Sequence, residues 1–383
     1  MRIAILSHGA RGAGATSVAR NLIAALGRVA PEEHYLITIP PGLGFESVCE
    51  GVPNCQAIRF GQSNLLHRWF WENRTLPHLL REHRPDVLLG LADRGLTDPL
   101  CPQAVLIHRP QLFYPVKHYA SDTVRNRLLF RYHAAHLRHS LPHTQLLLCQ
   151  TEAARERLRA VYGYKGRIEI CPNAVSVFAA TSSTDQMPEA LKPLTGKTKL
   201  FCLTRYYAHK NLERIVELFR TYREALVNTA VIITIAPEQH PHAARLLADI
   251  RKAGLQEHIV NVGPVPQEKL GTYYHHCDAL FLPTFLESFS GTYLEAMHFG
   301  VPILTSDLDF AHVVCGDAAV YFDPWSVTSI LDAIRRIQNE PGLAADLVER
   351  GRRRLSGFFR SWDEIATDLH RWLREIANGG SVR

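Results

Sequence analysis

A chain of 383 residues, 46% of them apolar, is long for one hydrophobic core and suits two domains of ordinary size. No stretch has the roughly 18 consecutive apolar residues of a spanning helix, and eight cysteines without a CxxC pair argue against a disulfide framework or a zinc site. The net charge of +6 is uneven: residues 1–177 carry 21 basic and 13 acidic side chains and the remainder 22 and 24. The basic first half points to an acidic or membrane-bound partner, and without a matching motif it does not point to nucleic acid.

Arg2–Ser7 reads as a first strand, too short and too soon followed by His8-Gly-Ala-Arg11 to be an export signal. A glycine-rich loop containing Gly9, Gly12 and Gly14 comes next, then a helix with Val18, Leu22, Ile23 and Leu26 on one face. The loop is no Walker site, because Ala15 stands where the lysine is required. It is no dinucleotide fingerprint either, since the second strand, His34–Ile39, ends in Pro40-Pro-Gly42 without an acid for a ribose. Two readings stay open: a tight turn, or a loop that lets another ligand approach the helix N-terminus through Gly12 and Gly14.

Asp86–Ala92, Ala104–His108, Gln145–Gln150 and Ile168–Ala174 are further apolar runs expected to be parallel strands. His108 falls where the chain leaves the sheet, either as a ligand contact or as a hydrogen-bonded structural histidine. Between these runs, Val124–Ser140 is expected to be a helix. It has Val124, Leu128, Tyr132 and Ala135 on one stripe and Arg127, Arg131 and Arg138 on the next. Such a face suits an anionic membrane or a lipid-linked diphosphate, or it packs on the sheet with its arginines in solvent. Residues 178–197, rich in Ser, Thr and Pro, read as a linker.

The second domain opens with the strand Lys199–Thr204 and the loop Arg205-Tyr-Tyr-Ala-His-Lys-Asn211. Two cations at the carboxyl end of a strand can offset a diphosphate, or be exposed charges in a loop that Asn211 caps. Ala230–Ala236, Ile259–Gly263, Ala279–Leu282, Pro302–Ser306 and Ala319–Asp323 supply the remaining strands. After Ala279–Leu282, a short loop with Glu287 leads into a helix with Glu295 in its second turn, ending at Gly300-Val-Pro302. Uncapped N–H groups there favour an anion. The two acids then call for neutral hydroxyls on the same ligand, which a sugar nucleotide supplies; a surface helix with two solvated glutamates is the alternative. Asp307-Leu-Asp309 is read as structural and not as a metal site. Trp362–Ala377 is a last helix with Ile365, Leu369, Leu373 and Ile376 in phase.

The segment Pro283-Thr-x-x-Glu-Ser-Phe-Ser-x-x-Tyr-Leu-Glu-Ala-Met-x-Phe-Gly-Val-Pro302 resembles the signature of glycosyltransferase family 4, retaining enzymes of the GT-B fold. Arg205-x4-Lys210-Asn211, Cys171-Pro-Asn-Ala174 and Asn261-Val-Gly-Pro-Val-Pro-x-x-Lys-Leu-x-x-Tyr-Tyr274, the last similar to the family's base-pocket segment with contacts largely to backbone, extend the likeness. The family's Gly-Phe-Gly after the first acid is replaced here by Ser288-Phe289-Ser290. The resemblance implies an α/β protein of two Rossmann-like parallel-sheet domains facing each other across a cleft. These would be an acceptor domain over 1–177 and a donor domain over 198–360, with a helix over 361–378 returning to the first. It implies catalytic roles for Glu287, Arg205, Lys210 and His108. Donor contacts would come from Glu295, Ser288, Phe289, Ser290, Gly291, Gly12, Gly14, Pro264 and Val265.

The expected partners are a nucleotide-diphosphate sugar, GDP- or UDP-linked, and a glycan or lipid-linked acceptor. The donor is a substrate, so no cofactor and no metal is expected. The expected place is the cytoplasm, with possible peripheral contact at an anionic membrane. A sugar-nucleotide epimerase, a phosphorylase and a non-catalytic sugar-nucleotide-binding subunit are the rival readings. The first lacks acid and base groups for both sugar faces, and the second a lysine-bound pyridoxal pattern. The third should have lost Glu287, Arg205 or Lys210, and all three are present.

Overall fold

The computed structural model describes residues 1–61, 65–174, 186–358 and 360–379. The chain forms two compact units. The first holds the described residues of Met1–Phe113, Arg125–Ala174 and Arg360–Arg383, and the second those of Tyr114–Val124 and Val175–Phe359.

The first unit is built on a seven-stranded parallel sheet. Its strands are β1 (Arg2–Leu6), β2 (His34–Ile39), β3 (Cys55–Arg59), β4 (Val87–Gly90), β5 (Gln103–Ile107), β6 (Leu146–Cys149) and β7 (Arg167–Ile170), in the order β3-β2-β1-β4-β5-β6-β7. Continuous apolar runs make these strands because a parallel sheet is covered on both faces. Strand β3 was not anticipated: Cys-Gln-Ala-Ile-Arg is half-exposed at the sheet edge and has no apolar run to show. The Ala13–Val29 helix buries Ala19, Leu22, Ile23 and Leu26 against β1, β2 and β4. The same core receives Ile365, Leu369, Trp372, Leu373 and Ile376 of the Trp362–Ala377 helix, whose entry is fixed by a Ser361/Glu364 capping box. Arg28 with Asp363, and Arg167 with Glu375, tie that helix down at its rim.

The second unit repeats the winding with six parallel strands. They are β8 (Thr198–Cys202), β9 (Thr229–Ile233), β10 (Ile259–Asn261), β11 (Ala279–Leu282), β12 (Ile303–Ser306) and β13 (Ala319–Phe322), in the order β10-β9-β8-β11-β12-β13. In both sheets the strand order reverses next to the first strand, between β1 and β4 and between β8 and β11. Loops leaving adjacent strands part there and open a crevice, the usual ligand position in such sheets.

Two expectations about chain division change. Tyr114–Val124 clusters with the second unit and not with the rest of 1–177, because the Tyr114 hydroxyl donates to Asp309 Oδ1 (2.7 Å) and His118 Nδ1 bonds Phe285 O (2.7 Å). Of the expected linker, 178–185 lies outside the described residues. Glu189–Leu194 is a helical turn that buries Leu191 and Leu194. Among the described residues all eight cysteines are free, and no helix is long and apolar enough to cross a membrane.

Candidate donor site

The loops after β8 and β11 converge at the second switch point. The first carries Arg205 to Asn211, the second Pro283 to Ser290, and backbone bonds lock one to the other. Phe285 N–H donates to His209 O (2.8 Å), and the Thr284 hydroxyl also reaches that carbonyl (3.1 Å). Asn211 is not the N-cap that the sequence allowed; it closes the 3-10 turn Ala208–Lys210. It sits in the left-handed region (φ 58°), buried, and its side-chain amide donates to Pro283 O (3.0 Å) and Pro324 O (2.9 Å). The following helix begins at Glu213, with Leu212 at its N-cap. Asparagine suits this place because it tolerates the conformation and supplies two donors.

This clamp brings Lys210 and Glu287, 77 residues apart, into an ion pair with side chains 16% and 11% exposed. The sequence treated both cations of the loop as free for a diphosphate. The structure instead gives Lys210 an internal partner and leaves Arg205 exposed, with no side-chain partner among the described residues. Ser290 is the N-cap of the Gly291–Phe299 helix and makes no side-chain cap; its hydroxyl bonds Thr292 Oγ1 instead (2.7 Å). The first N–H groups of that helix therefore stay available to an anion. Gly291 is exposed and open around its Cα, whereas Phe289 and Ser290 are buried and Ser288 is half-buried. Replacing the family's glycines by serines does not fill the approach at Gly291.

Glu295 lies in the second turn of the same helix, largely buried. Burial raises its carboxyl above the ordinary glutamate range, and a hydrogen bond from Tyr274 offsets this in part. The fully buried Tyr274 donates its hydroxyl to Glu295 Oε2 (3.0 Å) and packs edge-on against Phe201 of β8. Sequence reasoning placed Tyr273-Tyr274 in the base-pocket segment but read that segment only for its backbone, and so assigned this tyrosine's side chain no positioning role. Pro264 is exposed and Val265 half-buried in the loop after β10, where the Asn261 side-chain amide accepts from the N–H of Ile235 (3.1 Å) and donates to its carbonyl (3.0 Å). Trp325, stacked on Phe285 at 5.0 Å, is an exposed aromatic beside the β11 loop that the sequence did not single out.

The remaining candidates belong to the first unit. His108, at the end of β5, has both ring nitrogens buried without a hydrogen-bond partner. Asp93 lies 3.5 Å from its Nε2 and accepts the backbone N–H groups of His108 (2.7 Å) and Arg109 (2.9 Å). In the glycine loop the tight position is Gly9, not Gly12 or Gly14. A Cβ on Gly9 would lie 2.5 Å from Arg68 Nη2 and 2.9 Å from Ala92 Cβ, while one on Gly12 or Gly14 would meet nothing within 4 Å. Gly12 is the N-cap of the Ala13–Val29 helix, again without a side-chain cap. Asp307 pairs with His312, and Asp309 accepts from Tyr114 and from its neighbour's N–H (2.9 Å), so the two acids face different partners. Among the described residues the one grouping with metal-ligand spacing is Glu32, Glu33 and His370, far from these loops in sequence and already holding the N-terminal amine through Glu33.

Two parallel sheets of the same winding, each with its loops gathered at a switch point, make up the GT-B fold. Solved structures agree. Sucrose-phosphate synthase (tll1590) from Thermosynechococcus elongatus superposes with a TM-score of 0.73 at 16% identity, covering 99% of this chain and 100% of that one. WaaG, a glycosyltransferase involved in lipopolysaccharide biosynthesis, gives 0.68 at 16% identity over 97% and 99%. Anabaena Alr3699/HepE in complex with UDP and glucose gives 0.69 at 12% identity over 98% and 100%.

Two family models match side by side, Glycosyltransferase Family 4 over residues 12–177 and Glycosyl transferases group 1 over 183–354. The chain belongs to the family 4 type of glycosyltransferase. Curated relatives include the glycogen synthase of Mycobacterium tuberculosis (strain ATCC 25618 / H37Rv), 26% identical over 180 residues, which are 46% of this chain and 42% of that protein. Another is 2-deoxystreptamine N-acetyl-D-glucosaminyltransferase of Niallia circulans, 25% identical over 159 residues, 40% of this chain and 39% of that one. The matched stretch thus spans less than half the length of these relatives.

Proposed function

We propose that the protein moves a sugar from a nucleotide-diphosphate sugar, UDP- or GDP-linked, to a glycan or lipid-linked acceptor with retention of configuration. The observation that carries this reading is the Lys210–Glu287 pair beside the uncapped Gly291–Phe299 helix at the β8/β11 switch point. The diphosphate takes the helix N–H groups and Arg205, with Lys210 shared between it and Glu287. Glu287 contacts hydroxyls of the transferred sugar, and Glu295, oriented by Tyr274, accepts from the ribose diol. As the glycosidic bond breaks, negative charge grows on the leaving phosphate, and these preplaced donors stabilise it. The leaving phosphate then takes the acceptor's proton on the face it departs from, which accounts for retention without a dedicated base. The family resemblance gives His108 a role near the transferred sugar. No metal is needed, because cations and helix N–H groups supply the charge.

A membrane-facing acceptor is favoured by one helix. Val124 and Leu128 of Val124–Ser140 are 63% and 57% exposed, Tyr132 and Ala135 are exposed on the same stripe, and Arg131 and Arg138 are exposed beside them. An apolar ridge flanked by arginines suits an anionic bilayer surface.

The test is a thermal-shift screen of UDP-, GDP-, ADP- and dTDP-sugars, followed by NMR of the product anomer for the donor that binds. A donor at 100 times its dissociation constant adds about 2.7 kcal/mol of stability. Failure of every nucleotide sugar to stabilise the protein would refute the donor site, and an inverted anomer would refute retention.

A further inference from the structure

The first unit contains a cavity of about 580 Å³ beside the loop that leaves β4, a feature without a role in the donor reading. Arg74, His78 and Arg81 line one wall, and Thr97 and Asp98 lie in the loop segment that also lines it. The three basic residues follow an i, i+4, i+7 spacing, one helix face. They bridge the Leu76–His83 helix and the π-helical turn Trp71–Thr75 before it, a local widening that recurs at functional sites. Arg74 and Arg81 are exposed and have no acidic partner among the described residues.

The acid at the cavity's edge is already neutralised. Glu72 Oε1 bonds His8 Nε2 (3.0 Å) and accepts from Arg68 Nε (2.8 Å), while Oε2 accepts from Arg94 Nη2 (2.9 Å). These partners hold its carboxyl well below the usual range against the cost of burial. Arg94 is only 6% exposed, yet its Nε and Nη1 have no hydrogen-bond partner. On the lining Arg74 and Arg81 match Glu72 and Asp98 in number; Arg68 and Arg94, which pair with Glu72 without lining the cavity, leave the wider group with two excess positive charges. One lining residue, Glu72, reaches the loop that leaves β1 through its bond to His8, on the side of the β1/β4 reversal of strand order where ligands of such sheets bind.

We propose that this cavity binds the phosphate group of the acceptor, so that the acceptor is a phosphorylated sugar or a lipid-linked phosphate. The proposal rests on the reading of the first unit as the acceptor side. A phosphate monoester carries a charge near the excess found here, and guanidinium forks match its oxygens. Two features on the same side admit a lipid source: Leu100, exposed on the cavity lining, and His136, which lies on the helix that carries the exposed Leu128 and Tyr132.

The experiment is calorimetry on the full chain with glucose 6-phosphate against glucose, and with neutral phosphatidylcholine vesicles containing a polyprenyl phosphate against the same vesicles with the polyprenol. At least one phosphate probe should bind where its phosphate-free counterpart does not. Arg74→Gln/Arg81→Gln should weaken that binding by about tenfold or more. The equally charge-depleted Arg251→Gln/Lys252→Gln should not. Binding to the vesicle probe alone identifies a lipid acceptor, and to glucose 6-phosphate alone a soluble one. Failure of both phosphate probes, or equal binding by the double variant, would overturn the proposal. Nucleotide binding and melting temperature, read on the same samples, separate the two readings. A wild type that binds phosphate but no nucleotide refutes the donor site and leaves this cavity's assignment standing.

Discussion

Replacing Lys210 by methionine should reveal two roles in one residue. The lysine pairs with Glu287, and both side chains are mostly buried. Methionine keeps the aliphatic stem but leaves the carboxylate without its counter-charge in a poorly hydrated place. Removing one partner of such a pair costs about 3 kcal/mol. Adding Glu287→Gln removes the orphaned charge, so the double variant should regain most of that loss. Transfer should not recover, because the charge that stabilises the leaving phosphate is still missing, a loss worth roughly 2–4 kcal/mol in the barrier. Arg205→Ala is the reference. Its side chain is exposed and unpaired among the described residues, so stability should stay within about 0.5 kcal/mol of wild type while turnover falls comparably. Urea midpoints and initial rates of transfer measure the two effects. A Lys210→Met protein as stable as wild type, or a double variant no more stable than the single one, would refute the argument.

Donor affinity should fall on acidification at a higher pH than an ordinary glutamate would impose. Glu295 must be ionised to accept from a diol, and burial holds its carboxyl up. Affinity is therefore complete above the raised pKa and is lost as pH drops through it. Tyr274→Phe, which deletes the one contact that lowers this pKa, should move the loss to still higher pH, and calorimetry across pH would show it. An unmoved profile would separate Tyr274 from the site. Transfer should persist in EDTA, since Arg205, Lys210 and helix N–H groups supply the positive charge; activity abolished by EDTA and restored by Mg²⁺ or Mn²⁺ would contradict this. Co-sedimentation should detect salt-sensitive binding to anionic but not neutral vesicles. Arg131→Glu/Arg138→Glu should weaken it by on the order of 1 kcal/mol per arginine. Equal binding to both vesicle types at low salt would remove the membrane.

The sequence by itself determined the strands of both sheets that are buried on two faces, because an apolar run such as Ala279–Leu282 reports burial without reference to any distant residue. It also determined where each strand would release a loop, and so the neighbourhood of Arg205, Lys210, Glu287 and Glu295. Strand β3 escaped because one edge is open to water and needs no apolar pattern. What only the tertiary structure decided is which side chains meet. Lys210 and Glu287 are 77 residues apart, Tyr274 and Glu295 are 21 apart, and Tyr114 and Asp309 are 195 apart. Asn211, an N-cap by its sequence position, turned out to clamp Pro283 and Pro324 for the same reason. Periodicity along a chain records how one segment divides between core and solvent. Pairing between loops depends on strand order and register, which are set when β8 lies beside β11 and β1 beside β4.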